Sequence, residues 1–184
     1  MKALLLALLT VSCAATTRGP YEPLQESDRD TVRAQRLSSE AAELIWDAPE
    51  DAEALLLDAL TADVFFGPAH NNLGVLYLNR GDLYAAASEF EWARKLMPGH
   101  PDPRMNLALT LERAGQVDDA IQSYETALQV YPGHVATEQA LARLLLQNGM
   151  ADERIPEFLE EIAMRGESDA WRQWARRELT RYRR

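Results

Sequence analysis

The stretch GPAHNNLGVLYLNRGDLYAAASEFEWARKLMPGH (67–100), followed directly by PDPRMNLALTLERAGQVDDAIQSYETALQVYPGH (101–134), decides the fold. Set one above the other, Leu73, Gly74, Tyr77, Gly81, Ala86, Phe90, Ala93 and Pro98 recur as Leu107, Ala108, Leu111, Gly115, Ala120, Tyr124, Ala127 and Pro132. Both units close on Pro-Gly-His. The spacing predicts helices over 68–80, 83–96, 102–114 and 117–130, with Gly81 and Gly115 as the tight turns between them. A small residue at Gly74 or Ala108 lets a neighbouring helix approach closely, and the large residue at Phe90 or Tyr124 fills the space beside it.

The 34-residue period, with L-G-x2-Y, then A-x3-F, then P, resembles the tetratricopeptide repeat, a helix-turn-helix unit that stacks into a solenoid. The first unit carries His70 where the family has an early aromatic residue. The resemblance implies an all-α, right-handed α-solenoid whose units each offer their first helix to a concave groove, and it implies interaction with a protein partner. Carried over by register, the groove-lining positions are Leu37, Ala41 and Leu44, then Asn71, Val75 and Leu78, then Met105, Leu109 and Glu112, then Gln139, Arg143 and Leu146. Spacings of four and three put each triplet on one helix face. The lining is apolar early and polar late, which suits an extended or amphipathic-helical peptide with apolar anchors at the first units and a charged contact near Arg143. Asn72 and Asn106 invite comparison with the carboxylate clamp of some members of the family. The lysines of that clamp are absent, so that reading is set aside.

Outward from the two strong units the pattern fades. Residues 25–66 read as a degenerate helix pair, with apolar residues at Val32, Leu37, Ala41, Leu44 and Ile45 before the break at Asp47-Ala48-Pro49. In a frame of 33–66, Ala52, Leu56 and Ala59 fall on the second-helix signature positions, while Ser39 and Glu40 stand where Leu-Gly belongs. Residues 135–167 read as a divergent repeat. Leu141, Ala142, Leu145 and Gly149 keep the first-helix pattern, Arg154 and Glu161 replace the two alanines, and Pro156 must lie in the first turn of a helix or kink it. Terminal repeats are expected to be atypical. Residues 168–184 place Trp171, Trp174, Ala175, Leu179 and Tyr182 on one face and arginines on the other, a basic amphipathic helix expected to cap the array; the alternative is that its arginine face also contacts anionic lipid or an acidic partner.

The chain has 184 residues, 47% of them hydrophobic, and a formal net charge of -10. That balance argues against a nucleic-acid partner, because phosphate binding needs clustered Lys and Arg. The charge is uneven. Residues 168–184 hold six Arg against Asp169 and Glu178, whereas residues 13–167 carry 12 basic and 27 acidic side chains.

Lys2, the apolar run Ala3 to Val11 and the single cysteine at Cys13 read as a lipoprotein-type signal over 1–12, too short to span a bilayer. Leu9-Thr10-Val11-Ser12-Cys13 resembles a bacterial lipobox, with Thr10 in place of the usual leucine, which implies acylation of Cys13. The alternatives are an ordinary signal peptide cut nearby and a retained membrane anchor; the cysteine directly after the run favours lipidation. Ala14 after it implies, by likeness to Gram-negative lipoproteins, an outer membrane protein facing the periplasm. Residues 13–24, with Pro20 and Pro23, read as a tether.

No catalytic constellation is expected. His100 and His134 are repeat equivalents in turns rather than metal ligands, and no phosphate loop, nucleophile motif, cofactor signature or small-molecule site is present. The functional expectation is a non-catalytic scaffold or adaptor of an envelope complex. The alternative is a soluble periplasmic chaperone or a regulatory subunit of an envelope enzyme.

Overall fold

A computed structural model describes residues 29–182. Among the described residues there are nine α-helices and no strand: α1 (Thr31–Leu44), α2 (Pro49–Ala62), α3 (Gly67–Arg80), α4 (Leu83–Leu96), α5 (Asp102–Arg113), α6 (Val117–Val130), α7 (Val135–Gln147), α8 (Ile155–Arg165) and α9 (Asp169–Tyr182). Each packs on its successor, so neighbours in sequence are neighbours in space. The chain is an all-α solenoid.

Local chemistry sets the helix ends. The Asp30 and Asp82 carboxylates cap α1 and α4 by accepting from the N–H groups of Arg33 and Ala85 at 2.9 and 3.1 Å. Prolines occupy the first turns of α2, α3, α5 and α8, where a missing N–H costs nothing; Pro156 therefore starts α8 and does not kink it. Gly81 and Gly115 end α3 and α5 in the left-handed region, with φ of 82° and 77°.

The second helices carry the core. Ala52, Leu56 and Ala59 of α2, Ala86, Phe90 and Ala93 of α4, and Ala120, Tyr124 and Ala127 of α6 are each fully buried. Small residues flank one large one, so the helices of a pair close around a single side chain. At Gly74 the approach is closest: a Cβ there would lie 2.6 Å from the Phe90 ring. In the third unit the large residue is polar. The buried Tyr124 hydroxyl donates to Glu112 at 3.2 Å, and burial with the adjacent Glu112 carboxylate holds its pKa far above the ordinary phenol range, which keeps it a neutral donor.

The first unit departs from the 33–66 frame. Its helices are joined by 45–48, whereas α3 and α4 are joined by 81–82, so α1 sits two residues earlier relative to its partner than the strict period requires. Leu37, Ser38 and Ala41, all buried, thereby take the places of Leu73, Gly74 and Tyr77. Val32, read as an apolar-face residue, is 80% exposed at the start of α1. Residues 25–28 of the expected first helix pair and the tether lie outside the described residues.

At the far end, α9 packs on α8 with Trp171, Trp174, Ala175 and Glu178 at the spacing of His70, Leu73, Gly74 and Tyr77. It covers α8, the last helix before it. On α7, Glu138 is 5% exposed, with one carboxylate oxygen unpaired. Burial and then the neighbouring Glu161 carboxylate raise its pKa above the ordinary glutamate range. The native state thus binds this proton more tightly than the unfolded chain, so this group adds stability as pH falls from its folded-state value toward about 4.3. Glu138→Gln is expected to stabilise the protein by about 1 kcal/mol at neutral pH and to remove that acid-side gain, read from urea midpoints at pH 7 and pH 5.

Candidate functional site

The first helices of successive units pack side by side: α1 against α3, and α3 against α5. Asparagine side chains stitch their exposed edge. Asn72 Nδ2 donates to the Ser38 hydroxyl at 3.2 Å, and Asn106 Nδ2 donates to Asn71 Oδ1 at 3.1 Å. Asn72 Nδ2 also lies 3.3 Å from the Ser38 carbonyl, and all three asparagines are half-buried.

Between α1 and α3 lies an open cleft of about 460 Å3, lined on the α1 side by Gln35, Ser38, Ser39 and Ala42. This corrects the expectation for the first unit. Leu37 and Ala41 are 6% and 0% exposed in the core with Leu56 and Leu73, and Leu44 packs against the same cluster. The two-residue shift of α1 turns those three inward and brings Gln35, Ser39 and Ala42 to the cleft. The readable signal was Leu37-Ser38-x-x-Ala41, with serine standing for the small residue.

In the middle units Asn71, Val75, Met105 and Leu109 are half-buried, while Leu78 is buried in the α3/α4 core. The late, polar positions are engaged within the chain. Arg143 pairs with Glu112 at 2.9 Å, and the same carboxylate accepts from Tyr124, so charge at this point is locally neutralised. Gln139 is buried with its carbonyl oxygen unpaired, and Leu146 lines a smaller cleft of about 190 Å3 with Trp174 of α9. The gradient therefore differs from the expected one: polar and small at α1, apolar in the middle, and an internal ion pair at α7.

A second concavity, of about 250 Å3, was not legible in the sequence. Phe65, His70, Glu89 and Trp92 line it. His70 stacks on Trp92 with ring centroids 5.8 Å apart, and its ring nitrogens lie 2.6 Å from Glu89 Oε2 and 2.8 Å from the Val64 carbonyl. Both partners are acceptors, so an imidazolium satisfies both and a neutral ring only one. This residue replaces the family's early aromatic with a ring that stacks on Trp92 and is hydrogen-bonded at both nitrogens.

His134 donates to or accepts from Thr137 at 2.7 Å, and His100 stands in a turn. Among the described residues no group of three or more His, Cys, Asp or Glu is placed to hold a metal ion, and no helix is long and apolar enough to cross a membrane. Cys13 lies outside the described residues.

Comparison with known proteins agrees with this architecture. A tetratricopeptide repeat profile matches residues 71–135 and 105–170, together more than half of the chain. No curated protein matches. The first TPR of Spaghetti (RPAP3), solved bound to the HSP90 peptide SRMEEVD, is 15% identical with a TM-score of 0.61, the alignment covering 66% of this chain and 98% of that one. Pseudomonas aeruginosa pilF is 20% identical with a TM-score of 0.66, covering 77% and 64%. A mutant Thermobaculum terrenum O-GlcNAc transferase is 26% identical with a TM-score of 0.64, covering 81% of this chain and 27% of that one. The first two likenesses are of fold, and the third touches about a quarter of the transferase. With helix pairs built on alanine, a large residue and alanine, and with the repeat profile over most of α3 to α8, the chain belongs to the tetratricopeptide repeat family.

Proposed function

We propose that this protein is a non-catalytic adaptor that binds an extended or helical segment of a protein partner along the face of α1, α3, α5 and α7. It is held in a bacterial envelope by an acylated Cys13, on the periplasmic face of an outer membrane, where it assembles or stabilises a complex. Tetratricopeptide arrays mediate protein–protein interaction, and a fold neighbour holds a peptide. The observation that carries the reading is the open cleft between α1 and α3, continuous in register with the partly exposed Asn71, Val75, Met105 and Leu109. A segment suited to this face has apolar side chains toward its middle and hydrogen-bonding groups at the α1 end. Several acyl chains, at about 0.8 kcal/mol per buried CH2, would make the anchoring stable.

Two measurements test the two halves of this reading. The intact mass of the mature protein from its native membrane fraction is expected to start at Cys13 and to include acyl chains absent from a Cys13→Ser variant; an unmodified mass in the soluble fraction removes the anchor. Ser39→Arg with Ala42→Arg fills the cleft from exposed positions, leaving the core intact. Affinity for the partner recovered by crosslinking is expected to fall about tenfold or more at unchanged helicity. Unchanged affinity would place the partner elsewhere.

A further inference from the structure

The two ends of the described array carry opposite charge on exposed helix faces. Inside the array, α4 and α6 face one another across a cleft, with Glu91 and Arg94 on α4 opposite Asp119, Gln122, Ser123 and Thr126 on α6. These α6 positions are the ones a second helix turns toward the unit before it. Two repeats earlier their equivalents are Asp51, Ala54, Leu55 and Asp58 of α2. Among the described residues no earlier second helix stands opposite them. Asp51, Ala54 and Asp58 are exposed and α2 holds no basic side chain, while its other two acids, Glu50 and Glu53, pair with Arg80 of α3. Leu57 and Trp46, 43% and 73% exposed, add apolar surface to the same unit.

At the other end α9 covers α8, burying Ile155, Leu159 and Ile162. Its outward residues are Gln173, Arg176, Arg177, Thr180 and Arg181, all exposed. Arg176 reaches the Ala163 carbonyl at 3.3 Å and Arg181 pairs with Glu178 at 2.8 Å, while Arg177 makes no ion pair among the described residues. Among the described residues a basic helix thus lies at one end of the array and an acidic helix at the other.

We infer that a second copy of this chain docks on α9, its acidic α2 face of Asp51 and Asp58 against Arg176, Arg177 and Arg181. The contact is heterologous, because each copy contributes a different surface, and it therefore leaves one acidic and one basic end free for further copies. The attraction is between exposed groups and screens with salt: raising ionic strength from about 0.1 M to about 1 M cuts the Debye length from ~10 Å to ~3 Å.

The test is sedimentation velocity of the full-length chain carrying Cys13→Ser, so that no thiol links copies. The average mass is expected to rise with concentration past that of a dimer at about 0.1 M salt and to return to the monomer at about 1 M. Reversing one end, by Arg176→Glu, Arg177→Glu and Arg181→Glu or by Asp51→Lys and Asp58→Lys, is expected to leave a monomer of unchanged helicity. Combining both reversals in one chain restores association, because complementarity returns with the signs exchanged. A wild-type chain that stays monomeric at low salt overturns the inference. So does a closed dimer that grows no further, or association that survives either single-end reversal.

Discussion

Phe90→Ala is expected to lower the unfolding free energy by about 3–5 kcal/mol, an effect set by where the ring sits. Phe90 is fully buried between Ala86 and Ala93, and Gly74 has no Cβ because the ring lies where that atom would be. Removing the ring leaves a cavity in the cluster it forms with Leu78, Ala86 and Leu107, which relaxes only in part. At about 2–4 °C per kcal/mol for a chain of this size, the melting midpoint is expected to fall by roughly 6–20 °C. A second substitution probes the geometry. Gly74→Leu alone overpacks against Phe90 and is expected to destabilise by a few kcal/mol, whereas in the Phe90→Ala chain it fills the vacated space and costs less. Urea melts of the four chains measure the coupling; additivity would show that the two positions do not share one space.

Asp63→Ala is expected to cost about 3 kcal/mol and to act on the first unit alone. The Asp63 carboxylate is 1% exposed at the end of α2 and accepts from Arg29 Nε at 2.7 Å, from the Thr31 hydroxyl at 2.8 Å and from the Phe65 N–H at 3.0 Å. It fixes the start of α1 to the end of α2, beside the Asp30 N–H bond to the Ala62 carbonyl at 3.0 Å. Burial alone would raise its pKa; the hydrogen bonds from Arg29, Thr31 and the Phe65 N–H outweigh burial and hold it below the ordinary aspartate value. With the folded-state pKa depressed, its stabilisation is fully present above about pH 4, the unfolded value, and is lost as pH falls through the folded one. The difference between wild type and Asp63→Ala should therefore be constant from pH 7 to about pH 5 and shrink in stronger acid, as read from denaturant midpoints. Amide exchange in α1 should accelerate far more than in α6, because solenoid units couple mainly to their neighbours. A uniform acceleration would mean that the array unfolds as one body.

The sequence carried most of the fold because the repeat writes each contact twice. Leu73, Gly74, Phe90 and Ala93 find their counterparts in Leu107, Ala108, Tyr124 and Ala127, and a period of that fidelity has one packing solution. It carried the candidate site less well. The register transfer assumed a constant spacing, and the longer connection 45–48 moved α1 by two residues, enough to rotate Leu37 and Ala41 into the core and Gln35 and Ser39 outward. The charged end of the face also escaped it: Glu112 is 31 residues from Arg143, and only the stacking of α5 beside α7 makes them a pair.

By itself, then, the sequence determined the helix-pair unit, its turns at Gly81 and Gly115 and the alanine-flanked large residue of α2, α4 and α6. These are local or periodic properties, set by helix geometry and by the volume of one side chain against another. Tertiary structure alone decided which face of α1 is buried and which polar groups neutralise one another. These depend on how far one helix is displaced along its neighbour, a distance set by loop length and packing together.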